Sequence, residues 1–135
     1  MPPRSESVLI HCDIPGSDMS VTVEDDSRVA YAYLRRYGEI VADVWLYNVA
    51  EPPEENAWLE RTQLPFLNPR KFCKQGVVER ITKRTQIGCT IVSEYVEVSI
   101  DSQLIARLKP GVKPGWSRFA VIDSPLARPL DQSNT

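Results

Sequence analysis

Glu39-Ile40-Val41-Ala42-Asp43-Val44-Trp45-Leu46-Tyr47-Asn48 is the stretch on which the reading of this chain turns. In an extended strand successive side chains point to opposite faces. That places Ile40, Ala42, Val44 and Leu46 on one side and Val41, Asp43, Trp45 and Tyr47 on the other. Both sides carry apolar groups, so a central strand is expected, or one with a face lining a groove. It is the strongest strand signal in the chain.

Working outward, the segments on the N-terminal side have the same character. Ser7–Cys12 is a short apolar run closed by the Asp13-Ile14-Pro15-Gly16 turn. Met19–Val23 alternates and ends at Glu24-Asp25-Asp26-Ser27. Arg28–Arg35 sets Val29, Tyr31 and Tyr33 against Ala30, Ala32 and Leu34, and Arg36-Tyr37-Gly38 supplies the turn into the quoted strand. On the C-terminal side, residues 49–69 contain Pro52, Pro53, Pro65 and Pro69. Proline lacks an amide donor and biases the preceding residue away from helix, so a long loop is expected, with at most one helical turn around 54–61.

From Gly76 the chain becomes β-branched again, in V-V-E-R-I-T-K-R-T, Ile87–Val92 and Tyr95–Ile100, and Asp101-Ser102 turns it into Gln103–Leu108. Lys109-Pro110-Gly111 and Lys113-Pro114-Gly115 read as two successive type II turns, with Trp116–Ile122 as a last strand. The sum is about eight short strands. We expect a mainly β chain, an antiparallel β-sandwich or partly open barrel, with an α+β sheet covered by one helix as the alternative. Residues 1–123 are expected to form one domain and 124–135 a flexible tail.

Composition narrows the function classes. The chain has 135 residues and a formal charge of −2, with one histidine and three cysteines. No run approaches the roughly 20 apolar residues of a membrane helix, and no apolar leader follows Met1, so a cytoplasmic protein without a membrane partner is expected. Cys12, Cys73 and Cys89 are odd in number and irregular in spacing, the pattern of reduced thiols rather than a disulfide framework. One histidine and scattered cysteines make no common zinc pattern, and no phosphate-binding glycine motif occurs. No metal and no cofactor are therefore expected. His11 and Cys12 are adjacent on a strand and point apart, so they form no local catalytic pair.

The net charge hides an asymmetry. Residues 1–60 hold 12 acids and 4 bases, residues 61–84 hold 1 and 7, and residues 85–135 hold 5 and 5, giving −8, +6 and 0. The basic stretch at 70–84 offers a single aromatic, Phe72, on an acidic chain, which argues against nucleic acid. Aromatic residues suit a protein interface because they bury large area and keep a polar handle. The expected contact residues are Asp43, Trp45, Tyr47, Glu51, Glu54, Glu55, Trp58 and Trp116. Asn48 and Asn68 are read as turn formers.

Three pieces carry a resemblance: G-E-I-V-A-D-V-W-L-Y-N at 38–48, L-P-F-L-N-P at 64–69, and I-A-R-L-K-P-G-V-K-P-G-W-S at 105–117 followed by D-S-P-L-A at 123–127. Together they resemble a group of small, uncharacterised bacterial proteins, some associated with immunity-type partners of secreted toxins. The resemblance implies a small bacterial protein and no catalytic motif. The functional expectation is a non-enzymatic protein-binding domain, an immunity-type inhibitor of a toxin, docking through its acidic half and the 45–68 region. Two alternatives stand beside it: a ligand-binding protein or small enzyme with Asp43, Tyr47 or His11 in a sheet-lined pocket, and an assembly subunit or homo-oligomer pairing through an edge strand.

Overall fold

A computed structural model describes residues 7–51, 67–74, 78, 81–82 and 84–130. Four strands form the first sheet in sequence order: β1 (Val8–Asp13), β2 (Met19–Asp25), β3 (Val29–Arg36) and β4 (Glu39–Asn48). All neighbours are antiparallel. Five form the second: β5 (Ile87–Val92), β6 (Tyr95–Ile100), β7 (Gln103–Lys109), β8 (Val112–Ser117) and the two-residue β9 (Arg128–Pro129), again in sequence order. The β8–β9 pair is parallel, so this sheet is mixed. The sheets lie face to face, β1 against β5 and β4 against β7 and β8, and do not close into a barrel. The architecture is that of a β-sandwich. The only helical element among the described residues is a 3-10 turn at Arg70–Phe72, which excludes a covering helix there.

Local chemistry accounts for the hairpins. Tyr37-Gly38 links β3 to β4 with φ of 51° and 82°, and Asp101-Ser102 links β6 to β7 with 48° and 70°. Two successive positive φ values make the tight turn whose twist matches paired strands. Alternation then fixes the faces. Val21 and Val23 pair with Leu34 and Ala32, all fully buried, while Thr22 and Glu24 between them are half-exposed. Val96, Val98, Ala106 and Leu108 line the facing sheet, and one continuous apolar cluster joins the two.

The quoted strand differs from expectation in an instructive way. β4 is the terminal strand of its ladder, yet its residues from Val44 to Asn48 are all buried. Its free backbone edge is covered by the second half of the chain rather than by another strand. The Trp45 amide donates to the Leu126 carbonyl (2.9 Å), and the Val41 carbonyl accepts from the Gly111 amide (2.9 Å). The Leu46 carbonyl accepts from the buried Ser117 hydroxyl (2.9 Å). Contact is close enough that a Cβ on Gly115 would lie 2.7 Å from the Arg107 carbonyl oxygen and 3.2 Å from Val44 Cβ. Gly115 is thus required by space and not by a turn.

Four further expectations are corrected. Pro110-Gly111 does turn the chain, with Gly111 at φ 80°, but Lys113-Pro114-Gly115 lies within β8. Pro114 is tolerated there because the β7–β8 ladder is irregular between Arg107 and Lys109, so no regular hydrogen bond is forfeited. β8 ends at Ser117, where the Ser117 hydroxyl accepts from the Phe119 amide and the chain turns, so Trp116–Ile122 is not a strand. In the 76–84 stretch, the described residues Val78, Ile81, Thr82 and Arg84 lie outside any strand. The packed chain also runs past 123: Ala127 and Leu130 are buried and β9 lies between them, while residues 131–135 are outside the described residues.

The cysteine expectation is corrected as well. Cys12 of β1 and Cys89 of β5 form a disulfide, leaving Cys73 as the free thiol. A separation of 77 residues hides such a pairing from any spacing rule, because folding alone brings the two edges together.

Candidate functional site

The outer face of the first sheet collects the acidic and tyrosine residues of the N-terminal half. Alternation in β2 directs Thr22 and Glu24 outward, and register sets them opposite Tyr33 and Tyr31. Asp43 of β4 stands beside Tyr33 on the other side. The two tyrosine rings stack at 6.2 Å with planes 14° apart, and the Tyr33 hydroxyl donates to Glu24 Oε1 at 3.4 Å. Burial pushes the Tyr33 hydroxyl up to about 12, and the Glu24 and Asp43 carboxylates, with Asp26 behind them, push the same way. The hydroxyl therefore stays protonated and donates across the physiological range. On β1, His11 Nε2 contacts Asp13 at 2.9 Å and Nδ1 faces the Thr22 hydroxyl at 3.3 Å. The result is a half-exposed polar surface, rich in carboxylate and aromatic groups, on a rigid sheet.

The structure scatters the residues expected from sequence. Asp43 lies on this face, where Lys113 Nζ approaches its carboxylate at 3.7 Å. Trp45 shares its side by register but is fully buried, its indole N–H donating to Asn48 Oδ1 at 2.8 Å. Tyr47 points inward and its hydroxyl donates to the buried Asp25 carboxylate at 3.1 Å. Trp45 and Tyr47 are thus framework, with no surface for a partner. Glu51 is exposed and pairs with Arg70 at 3.1 Å. Glu54, Glu55 and Trp58 lie outside the described residues. Asp43 and His11 face solvent whereas Tyr47 faces the core, so the three do not converge on a pocket. A depression bounded by Gly16, Ser17, Asp18 and Ile91 contains none of them and is open to solvent.

Trp116 belongs to a different surface, the outer face of the second sheet. Its ring meets Tyr95 edge-on at 5.5 Å, and Arg128 lies over it at 5.2 Å. Arg107 and Lys109 approach the Tyr95 ring at 5.5 and 5.6 Å. Glu97 and Glu94 pair with the same two cations at 2.8 and 3.4 Å. Directly opposed positions across β6, β7, β8 and β9 build this row, Glu97 with Arg107, Arg107 with Trp116, and Trp116 with Arg128. The outer face of the first sheet thus collects carboxylates, whereas that of the second carries cations paired with Glu94 and Glu97 and set over aromatic rings.

Sequence reasoning missed Glu24 and Tyr33, although the signal was present: both lie at outward positions of alternating strands. It also missed the buried polar knot beside Trp45. Asn48 Oδ1 accepts from both Trp45 and the Asn68 amide (3.0 Å), and its Nδ2 donates to the Asn68 carbonyl (2.7 Å). These asparagines clamp the returning chain to β4 and are not surface turn formers. Cys73 packs beside them, 3.4 Å from Asn48 Nδ2, and burial pushes its thiol up to about 11 against the opposing influence of Arg70.

No helix among the described residues is long and apolar enough to cross a membrane. Comparison of the chain with family models, curated proteins and solved structures finds no match.

Proposed function

We propose that the protein is a non-enzymatic protein-binding domain whose outer N-terminal sheet face engages a basic surface on another protein. The observation that carries this reading is the grouping of Glu24, Asp43 and Tyr33 on one sheet face, where burial first, and the neighbouring carboxylates after it, hold the Tyr33 hydroxyl up at about 12. Carboxylates at a half-exposed site raise the capture rate of a cationic partner, and the phenol adds contact area with a hydrogen-bond donor. Exposed Glu51 extends the same acidic half. A rigid sheet presents these groups with little ordering cost on binding. Inhibition of a toxin by covering a basic active-site surface is the form of binding this chemistry suits, and it agrees with the sequence resemblance to immunity-type proteins.

The test compares native affinity capture by the wild-type chain and by a Glu24→Lys/Asp43→Lys variant at low ionic strength. The expected result is a basic protein retained by the wild type, released by salt, with an association rate about tenfold or more lower for the variant. Equal association rates for the two chains, or the absence of any salt-sensitive partner, would contradict the reading.

A further inference from the structure

We propose that the Cys12–Cys89 bond is a redox-sensitive clasp whose reduction frees one flank of the sandwich while the rest of the fold stays closed. β1 is the outer strand of the first sheet and β5 that of the second, and each has a complete ladder on its inner side, with β2 and β6 respectively. Neither strand depends on the disulfide for its own backbone pairing. Among the described residues no backbone hydrogen bond joins β1 to β5. The covalent bond is therefore the specific link across this flank, and the remaining contact is apolar packing.

That packing is incomplete. Ile91 pairs with Val96, which is 1% exposed, and so points toward the interior, yet Ile91 itself is 44% exposed. Ile91 also borders an open depression formed with Gly16, Ser17 and Asp18. Access to the sulfurs follows from the neighbours. Both cysteines are half-buried, Gly88 next to Cys89 has no side chain, and His11, Asp13 and Thr90 all face solvent. A small thiol can reach such a bond, whereas a disulfide enclosed in a core is shielded.

The chemistry is ordinary thiol–disulfide exchange. The thiolate of a small dithiol attacks one cysteine sulfur, breaks the Cys12–Cys89 bond and forms a mixed disulfide. The second thiol of the reductant then displaces the protein sulfur. The protein gains two electrons and two protons as two thiols, and the dithiol leaves as its cyclic disulfide. A small-molecule disulfide such as oxidised glutathione reverses the process. Local opening of a flank with few links, while the core remains protected, is the expected response of a fold with uneven stability.

The experiment uses the full chain, oxidised with glutathione disulfide and then reduced with dithiothreitol in native buffer. Alkylation after denaturation should give one adduct, on Cys73, before reduction and three after it. Amide spectra should change at Val8–Asp13 and Ile87–Val92 on reduction, with exchange there at least about tenfold faster and with Val44–Leu46 and Val96–Val98 unaltered. A Cys12→Ser/Cys89→Ser chain should show the fast pattern with or without reductant. Three adducts before reduction would overturn the proposal, as would unchanged exchange at both strands. Loss of protection throughout β4 would also overturn it, because the bond would then hold up the whole fold. Should the double variant fail to fold, reduction of the wild-type chain alone decides between these outcomes.

Discussion

The two flanks of the sandwich are closed by different means. On one, β4 meets β7 and β8 through a full set of buried apolar side chains, three hydrogen bonds to its free edge, and a contact at Gly115 too tight for a Cβ. On the other, β1 meets β5 through a disulfide and partly buried apolar side chains, with the inward Ile91 left 44% exposed. An unpaired strand edge exposes backbone donors and acceptors to any passing strand. The first flank answers this by satisfying the edge internally and the second by cross-linking. A flank held by many distributed contacts resists local opening, while one joined by a cross-link and limited apolar packing opens more readily once the cross-link breaks.

Substitutions should rank accordingly. Trp45→Ala should have the largest effect, about 3–5 kcal/mol, because a buried indole is lost and Asn48 Oδ1 loses one of its two donors. Gly115→Ala should follow at about 1–3 kcal/mol, since the backbone carbonyl of Arg107 cannot yield as a side chain does. Ile91→Ala on the open flank should cost about 1 kcal/mol or less, its side chain being partly in water already. Urea unfolding of the oxidised chain measures all three, and an Ile91→Ala cost equal to that of Trp45→Ala would remove the asymmetry.

Much of this organisation was legible in the sequence, and what escaped shares one physical cause. Alternation in Met19–Val23 and in the Glu39–Asn48 strand, and the turn residues Tyr37-Gly38 and Asp101-Ser102, are local signals, and local geometry answers to them. Burial on both faces of β4 was read correctly, but its source was not. A terminal strand covered by loops and a neighbouring sheet has the same side-chain pattern as a central one. The Cys12–Cys89 bond and the Asn48–Asn68 clamp join residues 77 and 20 positions apart, and no spacing rule reaches them. Pro114 misled for the opposite reason: Pro-Gly is a strong local turn signal, here overridden by packing against Val44. Of the proposed contact surface, charge segmentation along the chain pointed to the acidic half, and only register showed which carboxylates stand beside Tyr33.

The smallest effect concerns that surface. The Tyr33 hydroxyl sits at about 12 in the folded chain, above the ordinary phenol value of 10.0. Stability from keeping this proton is present in full below the unfolded value and is lost as pH rises through the folded one. Tyrosinate absorbance followed against pH, with Tyr33→Phe to assign the signal, should show Glu24→Gln lowering this value. An unaltered titration would mean that burial alone sets it and that the carboxylate field is weak.

The asymmetry between flanks is tested most directly by residue-resolved amide exchange on the oxidised wild-type chain. The Trp45 amide, bonded to Leu126 in the closed flank, should exchange only with global unfolding, and the amides of Ile87–Val92 bonded to β6 should exchange by local opening, many times faster. Equal protection at the two flanks would contradict this account of how the sandwich is held together.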